Sequence, residues 1–572
     1  MSLTSANRSI QLLIRMLDRK NSTEPMQDFG VLKPDIPLGR STHPLPRAIP
    51  ESCGIPSRHL AAFLMALKND HTLHMHSILV VRNGRVLCEA NFGAQDLSLP
   101  RMTFSACKSV VALAIGLLMD DGLLHPDDRL TDLFSGDCGP VSRTFMKDLT
   151  LQHLLTMQTG NNFNEVCSMT EREWAKHFCA SPSLTNPIGK FQYNSLNTYM
   201  LAVLVHRLTG KTVTELLDER LFTPMGIADY YWETSPEGIE KGGWGLYMRA
   251  EDLAKLGQLV MDGGCWNGQQ LLSASFLKQA TTAQIEAPGK YGDFNYGWQI
   301  WVGKHDNTFL FNGLFGQNVL CFRDNGIIIV SHADNAETFQ QSHYFPIVQK
   351  YLGGTFPMAL PRDRLAEREL KKVIQVLADC TGTVPTKAQF SVFADKRLVA
   401  DDPKAPAAGL LPLVLQATEN CYSKGLQAIT IAGSRTQPEL FYEERDQLLH
   451  LYLGTKEPYY QDLIYHGNVF RVAAQARFTH DEDDNPVLCI RIDCLETPCT
   501  RILKLIRLPG GWKLRQDENP HIAYLLDGAA DAAPNAASRA IVSTILGSSE
   551  SDYLYWKLDQ IFSPTLKFRE EG

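Results

Sequence analysis

The strongest hydrophobic pattern in the chain is an unbroken apolar run. From Val110 to Met119 every residue is apolar or glycine, and Asp120-Asp121-Gly122 follows. A run of helical length without a polar face is typical of a buried central helix, and glycine is common just after a helix. Upstream, the aliphatic stretch Ser77–Leu87 is interrupted by Arg82-Asn83-Gly84. Because Asn-Gly favours two-residue turns, this stretch predicts a β-hairpin.

Shorter patterns predict further elements between residues 57 and 355. Helices are predicted at Arg58–Lys68, Leu151–Met157, Leu196–Leu208, Ala250–Met261 and Gln340–Tyr351. Strands are predicted at Tyr296–Val302, Val319–Arg323 and Ile327–Ser331. A helical middle with hairpins on both sides indicates an α+β fold, in which helices pack against an antiparallel sheet.

The pattern changes after about residue 356. Asp363–Ala378 is charged and periodic, which predicts a connecting helix, whereas the prolines of Thr381–Pro412 predict a loop. From Leu440 onward apolar and polar residues alternate, as in Leu488–Asp493 and Arg501–Leu505, which is the period of half-buried strands. We therefore expect an irregular lead-in at 1–56, a first domain at 57–355, a connecting helix and linker at 356–435, and a β-rich, barrel-like domain at 436–572.

Composition narrows the classes of function. The 572 residues are 44% hydrophobic and 21% charged, enough for one large core and a second one. The formal net charge of -8 provides no general attraction to nucleic acid or anionic lipid. No stretch reaches the roughly 18 uncharged apolar residues of a membrane span. We therefore expect no nucleic-acid and no membrane partner.

Two further features predict a cytoplasmic location. The segment Met1–Met16 has a short apolar core and no small-residue cleavage site after it, unlike a secretory signal. The 13 cysteines are scattered and odd in number, which fits reduced thiols better than a disulfide framework. Neither feature indicates an oligomeric state.

Candidate chemistry lies at the start of the predicted buried helix. Ser105 and Lys108 are three residues apart, which places a hydroxyl and an amine on one helix face. A serine needs a neighbouring base to become a good nucleophile, and burial lowers the pKa of a lysine from about 10.4 toward that role. The same spacing occurs at Ser275 and Lys278, where polar residues follow, and we interpret that second copy as structural.

Several motifs then follow in a fixed order. They are Thr103–Ser109, Leu151–Gly160, Phe191–Ser195, Gly242–Leu246 and Phe311–Gln317. Over roughly residues 45 to 350 the chain resembles the serine hydrolases related to class C β-lactamases, penicillin-binding proteins and nylon-oligomer hydrolases. The resemblance implies a β-lactamase/transpeptidase-like antiparallel sheet flanked by helices, with an all-helical insertion.

The resemblance also implies catalytic roles. Ser105 would attack a carbonyl and become acylated, and Lys108 would hold the proton balance of the site. Tyr193 would act as general base toward the serine or water and as acid toward the leaving group, with Ser195 hydrogen-bonded in the same group.

Further roles concern the oxyanion and the substrate. The backbone N–H groups of Ser105 and of Leu314, which follows Gly313, would form the oxyanion hole. Trp244 either packs in the core or lines the substrate cleft. Asn312 and Gln317 are the other substrate-binding candidates.

One departure from the family pattern bears on the substrate. Where lactamases and D-alanyl peptidases carry Lys-Thr-Gly, this chain has Phe311-Asn312-Gly313, which lacks the cation that holds a substrate carboxylate. We therefore expect a serine hydrolase that forms an acyl-enzyme with a small ester or amide. Two alternatives stay open: a penicillin-recognising enzyme (β-lactamase or D-alanyl peptidase), and a non-catalytic binding or scaffold protein with the same fold.

No metal or cofactor is expected. His71, His74 and His76 lie close together in sequence, but no cysteine or carboxylate completes a ligand set, so we predict a strand entry that exposes them. Asp481–Asn485 resembles the start of a calcium loop but has Pro486 at the glycine position, which predicts a hairpin turn instead.

Overall fold

The computed structural model describes residues 33, 43–168, 171–181, 188–401, 408–419, 421–521 and 563–571. Contacts divide these residues into two units. The first unit comprises residues 43–92 and 96–378, and the second comprises Lys33, residues 93–95 and those from 379 onward. Most of the lead-in predicted at 1–56 lies outside the described residues; within 43–56 there is a 3-10 turn at Pro50–Cys53.

A seven-stranded antiparallel sheet forms the centre of the first unit. Its strands are β1 Met75–Arg82, β2 Arg85–Asn91, β3 Phe294–Tyr296, β4 Trp301–Gly303, β5 Thr308–Gly313, β6 Gln317–Phe322 and β7 Ile327–Ala333. They are ordered β2-β1-β7-β6-β5-β4-β3. The predicted hairpin is confirmed, because Asn83 and Gly84 have φ angles of 48° and 70°, the left-handed pair that a tight turn requires. Short strands at Arg101–Met102, Tyr231–Trp232 and Leu246–Met248 form a separate sheet, and Cys265–Trp266 pairs with Gln269–Gln270.

Helices cover both faces of the central sheet. The longer ones are α1 Ser57–Asn69, α2 Cys107–Asp120, α3 Ser195–Thr209, α4 Ala250–Met261, α5 Tyr344–Leu352 and α6 Arg364–Leu377. Shorter helices lie at Leu130–Leu133, Pro140–Met146, Leu151–Leu155, Glu165–Ser168, Trp174–Cys179, Val213–Leu217, Thr223–Met225 and Ala274–Ala280. Most of these helices lie between β2 and β3, as expected for the insertion, but the same segment contains the short strands named above, so it is not all-helical.

The alternation of β1 shows how the two layers form. Leu79 and Val81 belong to one apolar cluster with α2, α3 and α4, whereas Ile78 and Val80 belong to a second cluster with α1, α5 and α6. Because successive strand residues point to opposite faces, one aliphatic strand supplies both cores. The unbroken burial of α2 from Cys107 to Leu118 confirms the predicted central helix.

The prediction of a single strand at Tyr296–Val302 is wrong. It is divided into β3 and β4 by a turn in which Gln299 has a φ angle of 58°. The buried Gln299 amide donates to the carbonyl groups of Leu154 and Leu155 and accepts from the Thr198 hydroxyl. These hydrogen bonds satisfy buried polar groups at a helix end, and they outweigh the strand preference of the segment.

The loop predicted at Thr381–Pro412 is also wrong in part. It contains a helix at Lys387–Phe393 and a strand, β8, at Lys396–Ala400. The Thr386 side chain and Gln389 form a capping box at the start of that helix. A strand therefore precedes the boundary that the sequence placed at residue 436.

The second unit contains a ten-stranded antiparallel sheet. After β8 its strands are β9 Leu426–Gly433, β10 Pro438–Glu444, β11 Leu448–Tyr452, β12 Tyr459–Tyr465, β13 Asn468–His480, β14 Pro486–Cys494, β15 Thr500–Leu508, β16 Gly511–Asn519 and β17 Thr565–Glu570, with a short helix at Leu413–Thr418. Their order is β11-β10-β9-β8-β17-β16-β15-β14-β13-β12. The two edge strands meet, because the Gln461 side chain in β12 hydrogen-bonds both the N–H and the carbonyl of Tyr452 in β11. The predicted barrel-like domain is confirmed as a near-barrel, and Asp481–Asn485 forms the predicted turn between β13 and β14.

Among the described residues, none of the helices combines the length and the apolar composition that crossing a bilayer requires.

Candidate active site

The nucleophile candidate lies on a tight turn that leads into the central helix. Phe104–Ala106 forms one turn of 3-10 helix, and α2 begins at Cys107. Ser105 is partly exposed, whereas Lys108, in the first turn of α2, is only 1% exposed. Phe104 has a φ angle of 46°, a left-handed conformation that is strained for a bulky residue. Such strain is common at functional sites.

The Lys108 ammonium makes three polar contacts. Its Nζ donates to Ser105 Oγ at 2.7 Å, to Ser195 Oγ at 2.8 Å and to the Gly243 carbonyl at 2.6 Å. The carbonyl can only accept, so it requires an N–H, whereas a hydroxyl can also donate. A neutral Lys108 therefore keeps its contact with Gly243 while its lone pair faces the Ser105 hydroxyl.

Burial shifts the proton equilibria of the two titratable groups in opposite directions. It lowers the pKa of Lys108 to about 8 and raises the pKa of Tyr193 above its ordinary value of 10.0. In both cases the charged form is disfavoured by loss of water. The deprotonated amine is therefore accessible near neutral pH, and the phenol stays protonated.

Tyr193 lies beside both other groups. The neighbouring Ser105 side chain acts against burial and lowers the pKa of the Tyr193 phenol, and Lys108 Nζ lies 4.9 Å from the centre of its ring. The ring stacks on Trp301 at 5.9 Å and meets Phe339 edge-on at 5.2 Å. An aromatic wall thus fixes the phenol on one side of the nucleophile.

Gly243 packs closely against Ser195, beside the Lys108 amine. A Cβ atom at Gly243 would lie 2.6 Å from Ser195 Cβ, so only glycine brings its carbonyl this near to α3. Ser195 is the first residue of α3 and is buried. The backbone at Gly243 and the start of α3 therefore enclose Lys108 together.

The predicted oxyanion strand lies next to the nucleophile turn. A Cβ at Gly313 would lie 2.1 Å from the Thr103 carbonyl and 3.2 Å from the Ala106 nitrogen, so β5 ends directly against this turn. Leu314 follows, and Phe315 has a left-handed φ angle of 63°. Phe315 meets Phe104 edge-on at 5.6 Å. Two strained residues, one from each segment, thus join the nucleophile turn to the predicted oxyanion loop.

The structure places the three substrate-binding candidates differently. Trp244 is partly exposed and stacks on Trp174 at 5.6 Å. Asn312 is buried, and its side chain bonds to Asn318 and Gln340. Gln317 is also buried.

The contacts of Gln317 are with the protein backbone. Its side-chain amide donates to the carbonyl groups of Leu314 and Ala333, and its Oε1 is 3.1 Å from His332 Nδ1. Gln317 thereby supports the loop that carries the predicted oxyanion donor. Direct substrate contact by these three side chains stays a prediction.

Sequence reasoning did not single out Glu165. Its Oε1 accepts a hydrogen bond of 2.8 Å from the backbone N–H of Ser195, and its charge raises the pKa of both Lys108 and Tyr193. Glu165 follows the motif Leu151–Gly160 by a few residues but has no spacing signal of its own. Only the fold brings it to the start of α3.

The structure differs from the prediction for one of the three neighbouring histidines. His71 and His74 are exposed, but His76 is buried, with its Nδ1 2.7 Å from the Arg101 guanidinium and its Nε2 3.5 Å from Asp334. The prediction that the strand entry exposes all three is therefore wrong for His76, whose ring is satisfied by buried charged partners.

One group in the second unit has metal-binding composition. Glu444, Asp446 and His466 bring three ligand atoms within 4.8 Å of one another. The Glu444 carboxylate, however, already accepts from Leu410 N–H, from the Ser423 hydroxyl and from the Tyr465 hydroxyl. These donors fill the positions that a cation would take, so the group does not fit a metal.

Comparison with known proteins follows this geometry. Residues 65–341 match the family model described as Beta-lactamase. This segment is a β-lactamase-family domain. It contains Ser105, Lys108, Tyr193, Ser195 and the strand at Gly313, and the fold of the first unit agrees with the expected one.

Relatives of the β-lactamase-family domain include hydrolases and penicillin-binding protein homologues. The 6-aminohexanoate-dimer hydrolase of Paenarthrobacter ureafaciens is 27% identical over 225 residues, which cover 35% of this chain and 56% of that protein. This chain therefore spans just over half the length of that relative.

Two solved structures are similar to about half of this chain. A penicillin-binding protein homologue from Caulobacter crescentus is 18% identical, with 52% of this chain and 96% of that chain covered and a TM-score of 0.42. For D-amino acid amidase from Ochrobactrum anthropi SV3 the identity is 14%, the coverages are 55% and 98%, and the TM-score is 0.41.

Proposed function

We propose that this protein is a serine hydrolase that forms an acyl-enzyme on Ser105. The observation that carries the proposal is that an amine and a phenol lie beside one hydroxyl. Lys108 Nζ lies 2.7 Å from Ser105 Oγ and 4.9 Å from the centre of the Tyr193 ring, whose phenol pKa responds to the Ser105 side chain. The hydrolase name of the Paenarthrobacter relative supports the same reaction class.

The protonation states of Lys108 and Tyr193 indicate which proton transfer each residue performs. Lys108, with a pKa of about 8, accepts the Ser105 proton as Oγ bonds to the carbonyl carbon. Tyr193 stays protonated because burial raises its pKa, and it donates to the departing alcohol or amine, after which it is reprotonated from Lys108. Water then repeats the sequence on the acyl-enzyme. This arrangement favours the acid half of the role that the family resemblance implies for Tyr193.

Neutral esters or amides are the proposed substrates. The site has the buried side chain of Phe311 where the cation that anchors a substrate carboxylate would stand, and the neighbouring Asn312 is bonded to Asn318 and Gln340. Next to the nucleophile the wall is aromatic, formed by Tyr193, Trp301 and Phe339. Such a surface fits an apolar acyl or leaving group better than an anion.

A fluorophosphonate probe tests the proposal. It should label wild-type protein on Ser105 and leave the Ser105→Ala variant unlabelled, whereas Ser275→Ala should label like wild type. No labelling of the folded wild-type protein, or labelling unchanged in both Lys108→Ala and Tyr193→Phe, would favour a non-catalytic binding or scaffold role.

Substrate class needs a second assay. A panel of p-nitrophenyl esters, anilides and a chromogenic cephalosporin should show turnover of the neutral esters or anilides above that of the cephalosporin. Faster turnover or covalent trapping of the cephalosporin would favour the penicillin-recognising alternative instead.

We further propose that the protein is cytoplasmic. The thirteen cysteines are present as thiols, and ten of them are buried, as in proteins kept in a reducing compartment. Fractionation of cells that produce the protein tests this proposal.

A further inference from the structure

Glu165 connects the start of α3 to the reacting groups. The first backbone N–H of α3, from Ser195, donates to Glu165 Oε1 at 2.8 Å. The Ser195 hydroxyl in turn accepts from Lys108 Nζ at 2.8 Å. One serine therefore joins a carboxylate to the amine that contacts Ser105.

Neighbouring contacts hold this carboxylate in place. The Asn194 side chain donates to the carbonyl groups of Asn161 and Phe163, just before Glu165, and accepts from Leu196 N–H in α3. On the other side the Ser168 hydroxyl donates to the Glu165 carbonyl at 2.7 Å. The N-terminal end of the 15-residue helix α3 also favours a negative charge at this position.

Glu165 is the charged group that acts on both titratable partners. The pKa of Lys108 is shifted by burial, by the Cys107 thiol and by Glu165. The pKa of Tyr193 is shifted by burial, Ser105, Glu165, Cys107 and Tyr291. Burial raises the pKa of Cys107 to about 12, so that thiol is neutral at working pH. Tyr291 is a second phenol in the aromatic wall, not a charge. Glu165 therefore supplies the fixed negative charge of the group.

We propose that Glu165 is a positioning residue of the proton-transfer group: it orients Ser195 and stabilises the ammonium that Lys108 becomes when it takes the Ser105 proton. The inference rests on the proposed function. During acylation the O–H bond of Ser105 breaks, its oxygen bonds to the carbonyl carbon, and the proton on Lys108 is passed through Tyr193 to the leaving group. A negative charge that is joined to Lys108 through Ser195 lowers the energy of the state in which this proton is on nitrogen.

Glu165→Gln separates the charge from the hydrogen bond. The amide oxygen of glutamine can still accept from Ser195 N–H, but the charge is gone. Loss of the charge lowers the pKa of Lys108 and of Tyr193, so the labelling rate should rise with pH around a midpoint roughly half a unit lower than in wild type. Its plateau should fall several-fold, because the amine is a weaker base.

The measurement is the rate of fluorophosphonate labelling of Ser105 between pH 6 and 10. Ser168→Ala is the matched control, since it removes a hydrogen bond to Glu165 and no charge, and its midpoint should equal that of wild type. Glu165→Asp keeps the charge with a shorter side chain, so it should retain the midpoint and lose rate. Thermal unfolding of each variant reports the fold.

The outcomes distinguish the two proposals. Wild-type protein that is never labelled defeats the proposed hydrolase function. Labelled wild type with an unmoved midpoint in folded Glu165→Gln shows that Glu165 is only a helix cap. If Glu165→Gln does not fold, a shifted midpoint in Glu165→Asp overturns the inference and an unshifted midpoint with a reduced rate supports it.

Discussion

The chain contains the Ser-x-x-Lys spacing twice, and the two copies have different surroundings. Lys108 is buried and contacts Ser105, Ser195 and Gly243, whereas Ser275 and Lys278 lie exposed on the short helix Ala274–Ala280. Ser275 Oγ donates to another hydroxyl, that of Ser273. The comparison shows that the spacing alone does not bury the amine, and burial is what lowers the pKa of Lys108.

The largest expected effect comes from removing the two lysines separately. Lys108→Ala should lower kcat/KM by about 10³-fold, because Ser105 loses the base that takes its proton. Lys278→Ala should change kcat/KM by less than about two-fold, since exposed side chains far from a site contribute little. Ester hydrolysis under identical conditions measures both. Equal losses in the two variants would contradict the distinction between the copies.

Tyr193→Phe should have the next largest effect and depend on the leaving group. Loss of the proton donor should lower kcat/KM for an anilide by about 10²-fold, because an amine leaves poorly without a proton. The loss should be much smaller for the matched p-nitrophenyl ester, whose leaving group needs little protonation. The ratio of the two losses is the measurement, and the same loss for both substrates would assign Tyr193 a structural role only.

The sequence predicts the first copy's helix but not its full surroundings. The apolar run after Ser105 is sufficient to predict the burial of α2, and the ordered motifs are sufficient to bring Tyr193 to the same site. Glu165 could not be predicted, because its contact with Ser195 joins two segments through a loop that has no periodic pattern. Long-range polar contacts of this kind depend on the packing of several elements at once.

The same limit explains the errors in the fold. The sequence predicted one strand at Tyr296–Val302, but the Gln299 side chain donates to the carbonyl groups of Leu154 and Leu155, which are distant in sequence. In the second unit, the prolines of Thr381–Pro412 led to the prediction of a loop, but the segment contains the strand Lys396–Ala400, which pairs with Leu426–Gly433. Local pattern predicts isolated elements well, whereas buried side-chain hydrogen bonds and distant strand partners override it.

Gly243→Ala tests whether activity depends on the close packing that holds the Gly243 carbonyl against Lys108. The added methyl group would lie 2.6 Å from Ser195 Cβ, so either the loop or α3 must move. Overpacking of this kind costs about 1–3 kcal/mol of stability. Displacement of the Lys108 acceptor should also lower kcat/KM roughly ten-fold. Gly289→Ala is the control, because the space around Gly289 is open. Chemical denaturation and ester hydrolysis report the two effects, and a Gly243→Ala protein like the control would show that close packing here is dispensable.

The smallest expected effect is the pH dependence that the lowered pKa of Lys108 imposes. With a pKa of about 8, the reactive neutral amine is the minor form at pH 7. The rate constant kcat/KM for a neutral ester should therefore rise roughly five-fold between pH 7 and pH 8, while Tyr193 remains protonated. The sign follows from burial, which disfavours the ammonium in the folded protein. In Lys108→Ala the residual rate should follow hydroxide, so it should keep rising with pH and show no midpoint near the pKa of about 8. A flat wild-type profile from pH 6 to pH 9 would mean that Lys108 does not change protonation in this range, and the contrast with the exposed copy would then rest on geometry alone.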